Sequence, residues 1–264
     1  MIRTLKFFVI GAFPLGLLAV SQAAILALPR DLADEGETGG GGGLKTISAG
    51  YDASGADKLV VVLGAEHGFG NNGGNFDSVF YGTTQLIEAV QEGSGKPTLA
   101  IFYLDNPGAA ADLTVNQQNH NNSNFGIYKL TGTAPGIGNV AQSITNSLSL
   151  TTTAPDSFVI AGINNAGPNG GNGAPNMTAV SPLTEDTLTD LRANPGRRWT
   201  TTSFGSATIA APGSNSLSFS GAGGTDDLAF GAVEFLAASV AIPEPSSVAL
   251  LGLGGMALLL RRRK

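Results

Sequence analysis

Residues 58–64 read Lys-Leu-Val-Val-Val-Leu-Gly, and similar short apolar or alternating runs recur at close intervals along the chain. Each run has the length of a β-strand, and clusters of Gly, Pro, Asn, Asp and Ser residues separate it from the next run. The remaining runs span residues 76–81, 85–90, 98–104, 125–131, 147–151, 157–163, 199–204, 214–220 and 228–237. This spacing predicts an all-β body of the β-sandwich or jelly-roll type and argues against alternating βαβ units.

The composition favours the same fold class. The chain contains 38 Gly and 13 Pro residues, only 13% of its residues are charged, and its polar residues are mainly Asn, Thr and Ser. This mixture favours strands and turns over helices. The pattern allows one short helix from Glu185 to Ala193, with Thr184 as its N-cap and residues 194–196, Asn-Pro-Gly, as its stop signal.

Charge and cysteine content exclude several classes of function. The formal net charge is −6, but six of the fourteen Lys and Arg residues lie in the two end segments. Without those six, eight basic residues face twenty acidic residues, a net charge of −12. Such a body repels nucleic acid and anionic lipid, so neither is an expected partner. The chain has no cysteine, which excludes disulfides and thiolate metal ligands, so stability must come from the buried core.

The N-terminal segment, residues 1–23, has the pattern of a secretory signal peptide. Arg3 and Lys6 form a basic region, and an apolar run follows at residues 7–20. Ser21-Gln22-Ala23 then supplies the small-x-small pattern that signal peptidase recognises, which predicts cleavage between Ala23 and Ala24. An uncleaved anchor helix is the alternative, and both interpretations imply export.

The next segment, residues 24–44, has the composition of a linker. It combines five consecutive glycines at residues 39–43 with the acidic residues Asp31, Asp34, Glu35 and Glu37. Few apolar side chains and many glycines favour a flexible chain. We therefore expect a flexible acidic leader here, followed by the folded domain at residues 45–239.

The C-terminal segment, residues 240–264, is the most specific part of the sequence. It contains Pro243-Glu244-Pro245, an apolar run at residues 248–260, and a basic end made of Arg261, Arg262, Arg263 and Lys264. The two prolines disfavour helix, so we expect the motif to be an exposed, extended stretch. The apolar run is short for a membrane-spanning helix, and the basic end should stay in the cytoplasm by the positive-inside rule. The body is then placed outside.

This C-terminal segment resembles the PEP-CTERM sorting signal of Gram-negative bacteria in its motif, its spacing and its basic end. The resemblance implies that exosortase, a membrane-embedded cysteine protease, recognises Pro243-Glu244-Pro245 and cleaves near it. It also implies a transmembrane sorting helix that anchors the protein in the inner membrane until processing. The expected final location is the cell surface or the extracellular space.

Patterns typical of enzymes are weak in this chain. Residues 68–73 formally match the dinucleotide fingerprint Gly-x-Gly-x-x-Gly, but they are followed by a turn and a strand instead of a helix. Residues 93–97 lack the first glycine and the hydroxyl residue of a P-loop. His67 and His120 are the only histidines, and solvated loops explain both. We therefore assign no catalytic residue and no metal ligand, and we expect no enzymatic activity.

Two other chemistries remain open. Three oxygen-rich stretches have side chains of the kind that bind Ca²⁺, although Asx residues also populate turns for local reasons. They are Asp105-Asn106, Asn164-Asn165 and Thr225-Asp226-Asp227. A pair of carboxylates that hydrolyses a glycosidic bond is the second possibility, because sequence spacing does not reveal which acids face each other.

The sequence thus predicts an exported surface or matrix protein with a non-catalytic body and exosortase as its partner. The alternative is a carbohydrate-binding module that contacts an extracellular polysaccharide. In that module Tyr81, Tyr103, Tyr128 or Trp199 stacks on sugar rings. Packing of these aromatic residues in the core is the competing interpretation, and their exposure distinguishes the two.

Overall fold

The computed structural model describes residues 21–28, 30, 34–38, 41–67, 75–93, 97–168, 176–188, 192–193, 200–222 and 226–240. Within these ranges the chain forms β-strands, turns and no α-helix, which confirms the predicted all-β class. In chain order the strands are β1 (Ser21–Gln22), β2 (Leu26–Ala27), β3 (Glu35–Thr38), β4 (Gly41–Tyr51), β5 (Lys58–His67), β6 (Phe76–Tyr81), β7 (Thr84–Gln85), β8 (Ile87–Glu92), β9 (Thr98–Asp105), β10 (Ala111–Thr131), β11 (Val140–Ser143), β12 (Ser147–Thr152), β13 (Ser157–Pro168), β14 (Thr178–Val180), β15 (Thr184–Glu185), β16 (Arg192–Ala193), β17 (Thr200–Ile209), β18 (Gly213–Ser220), β19 (Asp226–Phe235) and β20 (Ser239–Val240).

The largest sheet is built on the long strand β10. Its strand order is β7-β6-β10-β5-β9-β8, and β2, β3 and β4 pair along the other edge of β10. β10 pairs with β6 up to Gln117 and with β5 from His120 onward, and the register with β5 shifts between His120 and Ser123. Side chains from both halves of β10, including Val115 and Ile127, lie in one core cluster. The sheet therefore folds back on itself around this point.

Two further antiparallel sheets complete the body. One has the order β11-β19-β13-β17-β15, with β16 also paired to β17, and the other has the order β12-β18-β14. Two smaller strands, β1 and β20, pair separately as a two-stranded sheet. Residues Gln22–Ala238 form one compact unit.

Three apolar clusters hold the sheets of this unit together. The first lies between the β10 sheet and the β13 sheet and includes Val62 and Ile160. The second lies inside the folded β10 sheet and includes Leu63. The third lies between the β13 sheet and the β18 sheet and includes Val159 and Phe219. The body therefore contains more packed layers than the two of a simple sandwich.

This layering explains why the run at residues 58–64 is apolar without alternation. Val60 and Val62 belong to the first cluster, whereas Leu59, Val61 and Leu63 belong to the second. Successive side chains of a strand point to opposite faces, so both faces of β5 are buried. A continuous apolar run is the pattern expected of such a strand.

The structure corrects the expectation of a flexible leader at residues 24–44. Within this segment β2, β3 and the start of β4 all pair with β10. The edge of β10 offers backbone donors and acceptors, and pairing with the leader satisfies them. Gly41 and Gly43 adopt φ angles of +87° and +92°, so these glycines provide left-handed backbone within a paired segment. The folded body therefore begins well before residue 45.

The predicted helix at residues 185–193 is also corrected. Thr184 and Glu185 form β15, and Arg192 and Ala193 form β16, both paired with β17. The backbone N–H of Asp186 also donates to the carbonyl of Phe204 at 2.9 Å. Pairing with the edge of β17 overrides the local helical pattern.

The predicted targeting segments lie largely outside the described residues. Residues 1–20 of the signal peptide and residues 241–264 of the sorting segment fall there, so the transmembrane sorting helix remains a prediction. In the described part of the chain, no helix has the length and apolarity required to cross a membrane.

Candidate functional site

The tyrosines predicted to stack on sugar rings are buried in the body. Tyr81, Tyr103 and Tyr128 have exposed fractions of 3%, 7% and 1%, which excludes them from a sugar-binding surface. Tyr81 Oη donates to the carbonyl of Ala109 at 2.8 Å, a contact that satisfies its hydroxyl inside the fold. Core packing is therefore the correct interpretation for these three residues, and Trp199 lies outside the described residues.

In the first stretch predicted to bind calcium, Asp105 forms an ion pair with Lys58. Lys58 is fully buried, and its Nζ contacts Oδ1 of Asp105. Oδ2 of Asp105 accepts the backbone N–H of Gly136 at 2.8 Å. Asn106 lies in a turn with a φ of 51°, a conformation that asparagine tolerates. Both oxygens of Asp105 thus bond to protein groups, which explains this stretch without a metal.

The second predicted calcium stretch is also internal. Asn164 is buried, and its Nδ2 donates to the carbonyls of Ala65 at 2.9 Å and Thr98 at 3.0 Å. Its Oδ1 accepts the hydroxyl of Thr202 at 3.1 Å. Asn164 therefore links the β5–β9 pair to the β13–β17 pair.

The third predicted calcium stretch is only partly described. Thr225 lies outside the described residues, and Asp227 is exposed. Across the described ranges, no group of three or more His, Asp and Glu residues is placed to hold a metal ion.

The histidines and the glycine motifs were the other candidates for enzyme chemistry in the sequence. His67 and His120 are partners in the register between β5 and β10, a juxtaposition that sequence spacing did not predict. Residues 68–74 and 94–96 lie outside the described residues. β6 begins at Phe76, so a strand follows the first glycine motif where a dinucleotide fold requires a helix.

Glu234 is a buried carboxylate that joins three segments. It accepts the backbone N–H groups of Asn139 at 2.9 Å and Thr153 at 2.7 Å, and the hydroxyl of Ser157 at 2.7 Å. Burial raises the pKa of Glu234, but these hydrogen bonds outweigh burial and place its pKa below the usual value. A side-chain carbon at Gly138 would lie 2.2 Å from Oε2 of Glu234, so the loop passes directly over the carboxylate.

A second cluster of charged and phenolic groups surrounds Arg30. Its Nη2 forms an ion pair with Oε1 of Glu35 at 2.8 Å, and its guanidinium lies 4.6 Å from the ring centroid of Tyr128. Arg30 also donates to the carbonyls of Ile127, at 3.1 Å, and Asp186. The hydroxyl of Tyr128 donates to Oδ2 of Asp186 at 3.2 Å. We call these residues the Arg30 cluster.

Neighbouring contacts attach the Arg30 cluster to the rest of the body. Oε2 of Glu35 accepts the backbone N–H of Leu188 at 2.9 Å, and the hydroxyl of Tyr51 donates to Asp34. The leader is thereby bound to β4, to β10 and to residues 186–188. This arrangement is typical of a structural anchor.

Burial dominates the acid–base properties of the Arg30 cluster. Burial raises the pKa of Tyr128 well above its usual value, and the nearby carboxylate of Asp186 adds to the effect. Burial also raises the pKa of Asp186, although a hydrogen bond from Ser206 and the charge of Arg30 oppose the shift. Sequence reasoning missed this cluster because it assigned one part to a linker and the other to a helix. The only signal was that Arg30 is the single Lys or Arg residue within 24–44.

The sorting segment follows the C-terminal end of the compact unit in the sequence. The backbone N–H of Ala238 donates to the carbonyl of Gly132 at 2.8 Å, and the N–H of Ala23 donates to the carbonyl of Ala238 at 2.9 Å. Ala237 forms a β-bridge with Thr133. Ala23, near the start of the compact unit, therefore lies beside Ala238, its last residue.

The comparisons with known proteins concern this end of the chain. Residues 241–264 match a family model described as the PEP-CTERM protein-sorting motif. No curated protein and no solved structure matches the chain. The match covers Pro243-Glu244-Pro245, the apolar run and the basic end that the sequence singled out. The chain is therefore an exported protein that carries a PEP-CTERM sorting motif for exosortase at residues 241–264.

Proposed function

We propose that this chain is a non-catalytic surface or matrix protein, released from a transient inner-membrane anchor when exosortase cleaves near Pro243-Glu244-Pro245. The match of residues 241–264 to the sorting motif carries the proposal. In this scheme the signal peptide directs export and is removed after Ala23. The apolar run at residues 248–260 then holds the protein in the membrane, with Arg261 to Lys264 on the cytoplasmic side.

The chemistry of the described acids supports a non-catalytic body. Glu234 accepts backbone and hydroxyl protons, Asp105 pairs with Lys58, and Glu35 pairs with Arg30. These three acids bond to groups that hold strands and loops together. An enzyme site requires a group that is free to meet a substrate in a cleft.

The start and the end of the compact unit lie at one end of the body. Ala23 and Ala238 meet at the end of the body where β5 begins and β10 finishes, since Lys58 pairs with Leu130 there. At the opposite end, the side chain of Asn164 bonds to Ala65 and Thr98. The strands that lead into the Gly- and Asn-rich residues 68–74 and 169–175 run toward this opposite end.

Replacement of Pro243-Glu244-Pro245 by three alanines tests the proposal. We expect export to continue while an unprocessed form accumulates at the membrane, because the protease loses its motif and alanine permits helix where proline opposes it. Immunoblots of membrane and medium fractions from an exosortase-positive host measure the outcome. Deletion of residues 261–264 is the matched control, and it should instead let unprocessed protein escape outward, because the cytoplasmic charge is gone. Wild-type processing of the triple-alanine variant would contradict the proposal.

A second candidate function, binding of a neutral polysaccharide, is favoured by one surface of the body. The outer face of the β12-β18-β14 sheet carries rows of hydroxyl groups, and Ser149 is the register partner of Ser216. Residues 130–155, 157–184 and 199–225 contain no Asp, Glu, Lys or Arg, so these three strands carry no charge. Seven of the hydroxyl residues are exposed: Ser147, Ser149, Thr151, Thr178, Ser214, Ser216 and Ser220. Such a face can exchange hydrogen bonds with sugar hydroxyls without electrostatic repulsion.

Retention on an insoluble neutral β-glucan tests this candidate. The wild-type protein should be retained, and Ser216→Arg should reduce retention because a long charged side chain disrupts the flat hydroxyl face. Gln85→Arg, at an exposed position of β7, is the control and should bind as the wild type does. If the wild-type protein passes through the β-glucan unretained, this candidate is wrong.

A further inference from the structure

A lysine side chain is enclosed in the core between the β10 sheet and the β13 sheet. Lys58 is the first residue of β5, and the next residues on its side of the strand, Val60 and Val62, belong to the first apolar cluster. Lys58 itself is 0% exposed. Its Nζ lies 5.1 Å from the ring centroid of Tyr103 and 6.0 Å from that of Phe235. The ammonium group is therefore surrounded by the core and not by solvent.

The strand register places a carboxyl group beside this lysine. Asp105 is the register partner of Lys58 in the antiparallel β5–β9 pair, so the two side chains stand next to each other on the same face. Nζ of Lys58 contacts Oδ1 of Asp105, and the backbone N–H of Gly136 donates to Oδ2 at 2.8 Å. The two oxygens of this carboxyl group therefore face different partners, an amine and a backbone donor.

We propose that Lys58 and Asp105 form a covalent amide cross-link inside the folded body, which makes this pair a self-modification site. One proton passes from Nζ to Oδ1, and the amine lone pair then attacks Cγ of Asp105 to form a C–N bond. A second proton follows to Oδ1, the bond between Cγ and Oδ1 breaks, and one water molecule leaves. The third proton stays on the amide nitrogen, so atoms and charge balance without any co-reactant.

Each contact of the pair suits one part of this reaction. The contact between Nζ and Oδ1 is the path for the protons. The N–H of Gly136 points at Oδ2, where negative charge develops when Cγ becomes tetrahedral, and this oxygen becomes the carbonyl oxygen of the amide. The side chain of Asp105 is 26% exposed, so the water that forms has a route to solvent.

Burial and proximity both favour the amide over the ion pair. A buried ion pair carries a desolvation cost for two charges, whereas the amide is neutral. The core around Lys58 excludes the water that would hydrolyse the product. The register holds amine and carboxyl group together, and well-oriented intramolecular reactions have effective molarities of about 10⁵–10⁸ M.

The cross-link gives this chain a covalent loop that it otherwise lacks, because it contains no cysteine. Lys58 and Asp105 are 47 positions apart, and the loop between them includes β6, β7 and β8. Closing such a loop restricts the unfolded chain, as a disulfide does. The modification goes beyond the proposed function and does not depend on exosortase, so it is tested separately.

Peptide mapping of the full chain, denatured before digestion, tests the proposal. Trypsin and a Glu-specific protease together cut the chain between Lys58 and Asp105, but trypsin does not cut after a lysine whose Nζ is acylated. We expect residues 46–66 and 93–129 as one joined pair, lighter than the two separate peptides by one water molecule. Complete cleavage after Lys58, with residues 46–58 released as a free peptide, would overturn the proposal.

The same digest contains its own controls. Arg30 and Glu35 also form a buried ion pair, but a guanidinium group does not condense with a carboxylate, so the chain should be cut after Arg30. A cyclic imide at Asp105 also loses one water, but it leaves Lys58 cleavable and joins no peptides. Loss of water without a joined pair therefore contradicts the proposal.

Two variants test the assignment of the bond to this pair. Lys58→Arg keeps a positive charge beside Asp105 but cannot form the amide, and Asp105→Ala removes the carboxyl group. Neither variant should give a joined pair, and on denaturing gels both should migrate differently from the wild-type chain, because the loop is open. The wild-type map remains decisive even where a variant misfolds. A joined pair that persists in either variant would show that the bond lies elsewhere and that the proposal is wrong.

Discussion

At the residue scale, the side chain of Glu234 stabilises the fold, although Glu234 lies in the largely apolar strand β19. Its carboxylate accepts hydrogen bonds from Asn139 and Thr153, which lie in two different loops, and from Ser157 at the start of β13. Glu234→Gln should lower the free energy of unfolding by about 2–4 kcal/mol, because a charged acceptor is lost and buried donors are left poorly satisfied. Urea denaturation measures this, with the exposed Glu88→Gln as a control that should have little effect.

Because the pKa of Glu234 is lowered in the folded protein, we expect the free energy of unfolding to depend on pH. The pKa of Glu234 is lower in the folded protein than its usual value of 4.5, which approximates the unfolded chain. A group with a depressed folded pKa stabilises the fold fully above the unfolded pKa, and this contribution is lost as pH falls through the folded pKa. The stability difference between wild type and Glu234→Gln should therefore be constant above about pH 5.5 and shrink below pH 4.5. A difference that grows in acid would contradict the assignment.

Arg30 allows a second test at this scale. Arg30→Met should cost about 3–5 kcal/mol of unfolding free energy, because Glu35 is left buried beside an apolar side chain. Adding Glu35→Gln to Arg30→Met should recover part of the loss, because the uncompensated charge is removed. Chemical denaturation of the two single variants and the double variant measures the coupling. Strictly additive losses would show that the pair does not interact in the folded state.

At the element scale, β10 and β17 approach closely because Gly126 has no side chain. A side-chain carbon at Gly126 would lie 2.7 Å from the ring of Phe204. Gly126→Ala should therefore cost about 1–3 kcal/mol through overpacking. In a Phe204→Leu background the same change should cost less, because the ring atoms that it meets are gone. Thermal or urea unfolding of all four proteins tests this, and an equal cost in both backgrounds would refute the contact.

The sequence predicted those elements whose apolar pattern decides their pairing. The predicted boundaries of β6, at Phe76–Tyr81, agree with the structure, and β5 and β9 agree at their first residues. β10 was predicted only from residue 125, whereas it begins at Ala111. Residues 116–122 read Asn-Gln-Gln-Asn-His-Asn-Asn, which shows no apolar alternation, and pairing with neighbouring strands holds much of this stretch extended. Long-range pairing of this kind leaves no local signal.

The candidate functional residues also divide into those that the sequence predicted and those that it missed. The sorting motif was recognised because its residues are adjacent in sequence. The Arg30 cluster and the Glu234 site were missed because each brings together side chains that are far apart along the chain. Arg30 and Asp186, for example, are 156 positions apart. The calcium stretches show the converse, since Asp105 and Asn164 have the expected oxygen atoms but use them within the fold.

At the scale of the whole molecule, a compact β-rich unit is followed in sequence by a PEP-CTERM sorting motif. The compact unit extends from Gln22 to Ala238, and the sorting motif begins at residue 241. A body whose chain ends meet at one end can be tethered there, and cleavage at the tether then releases it intact. Under the proposed function, processing of the tail determines the final location of the protein.

Intact mass spectrometry of the released protein, compared between exosortase-positive and exosortase-negative hosts, tests this central claim most directly. The account predicts that protein from the positive host begins at Ala24 and ends near Pro243-Glu244-Pro245, without the apolar run and the basic end. In the negative host the tail should remain, and the protein should stay in the membrane fraction. Released protein from the positive host that still carries residues 261–264 would contradict the account.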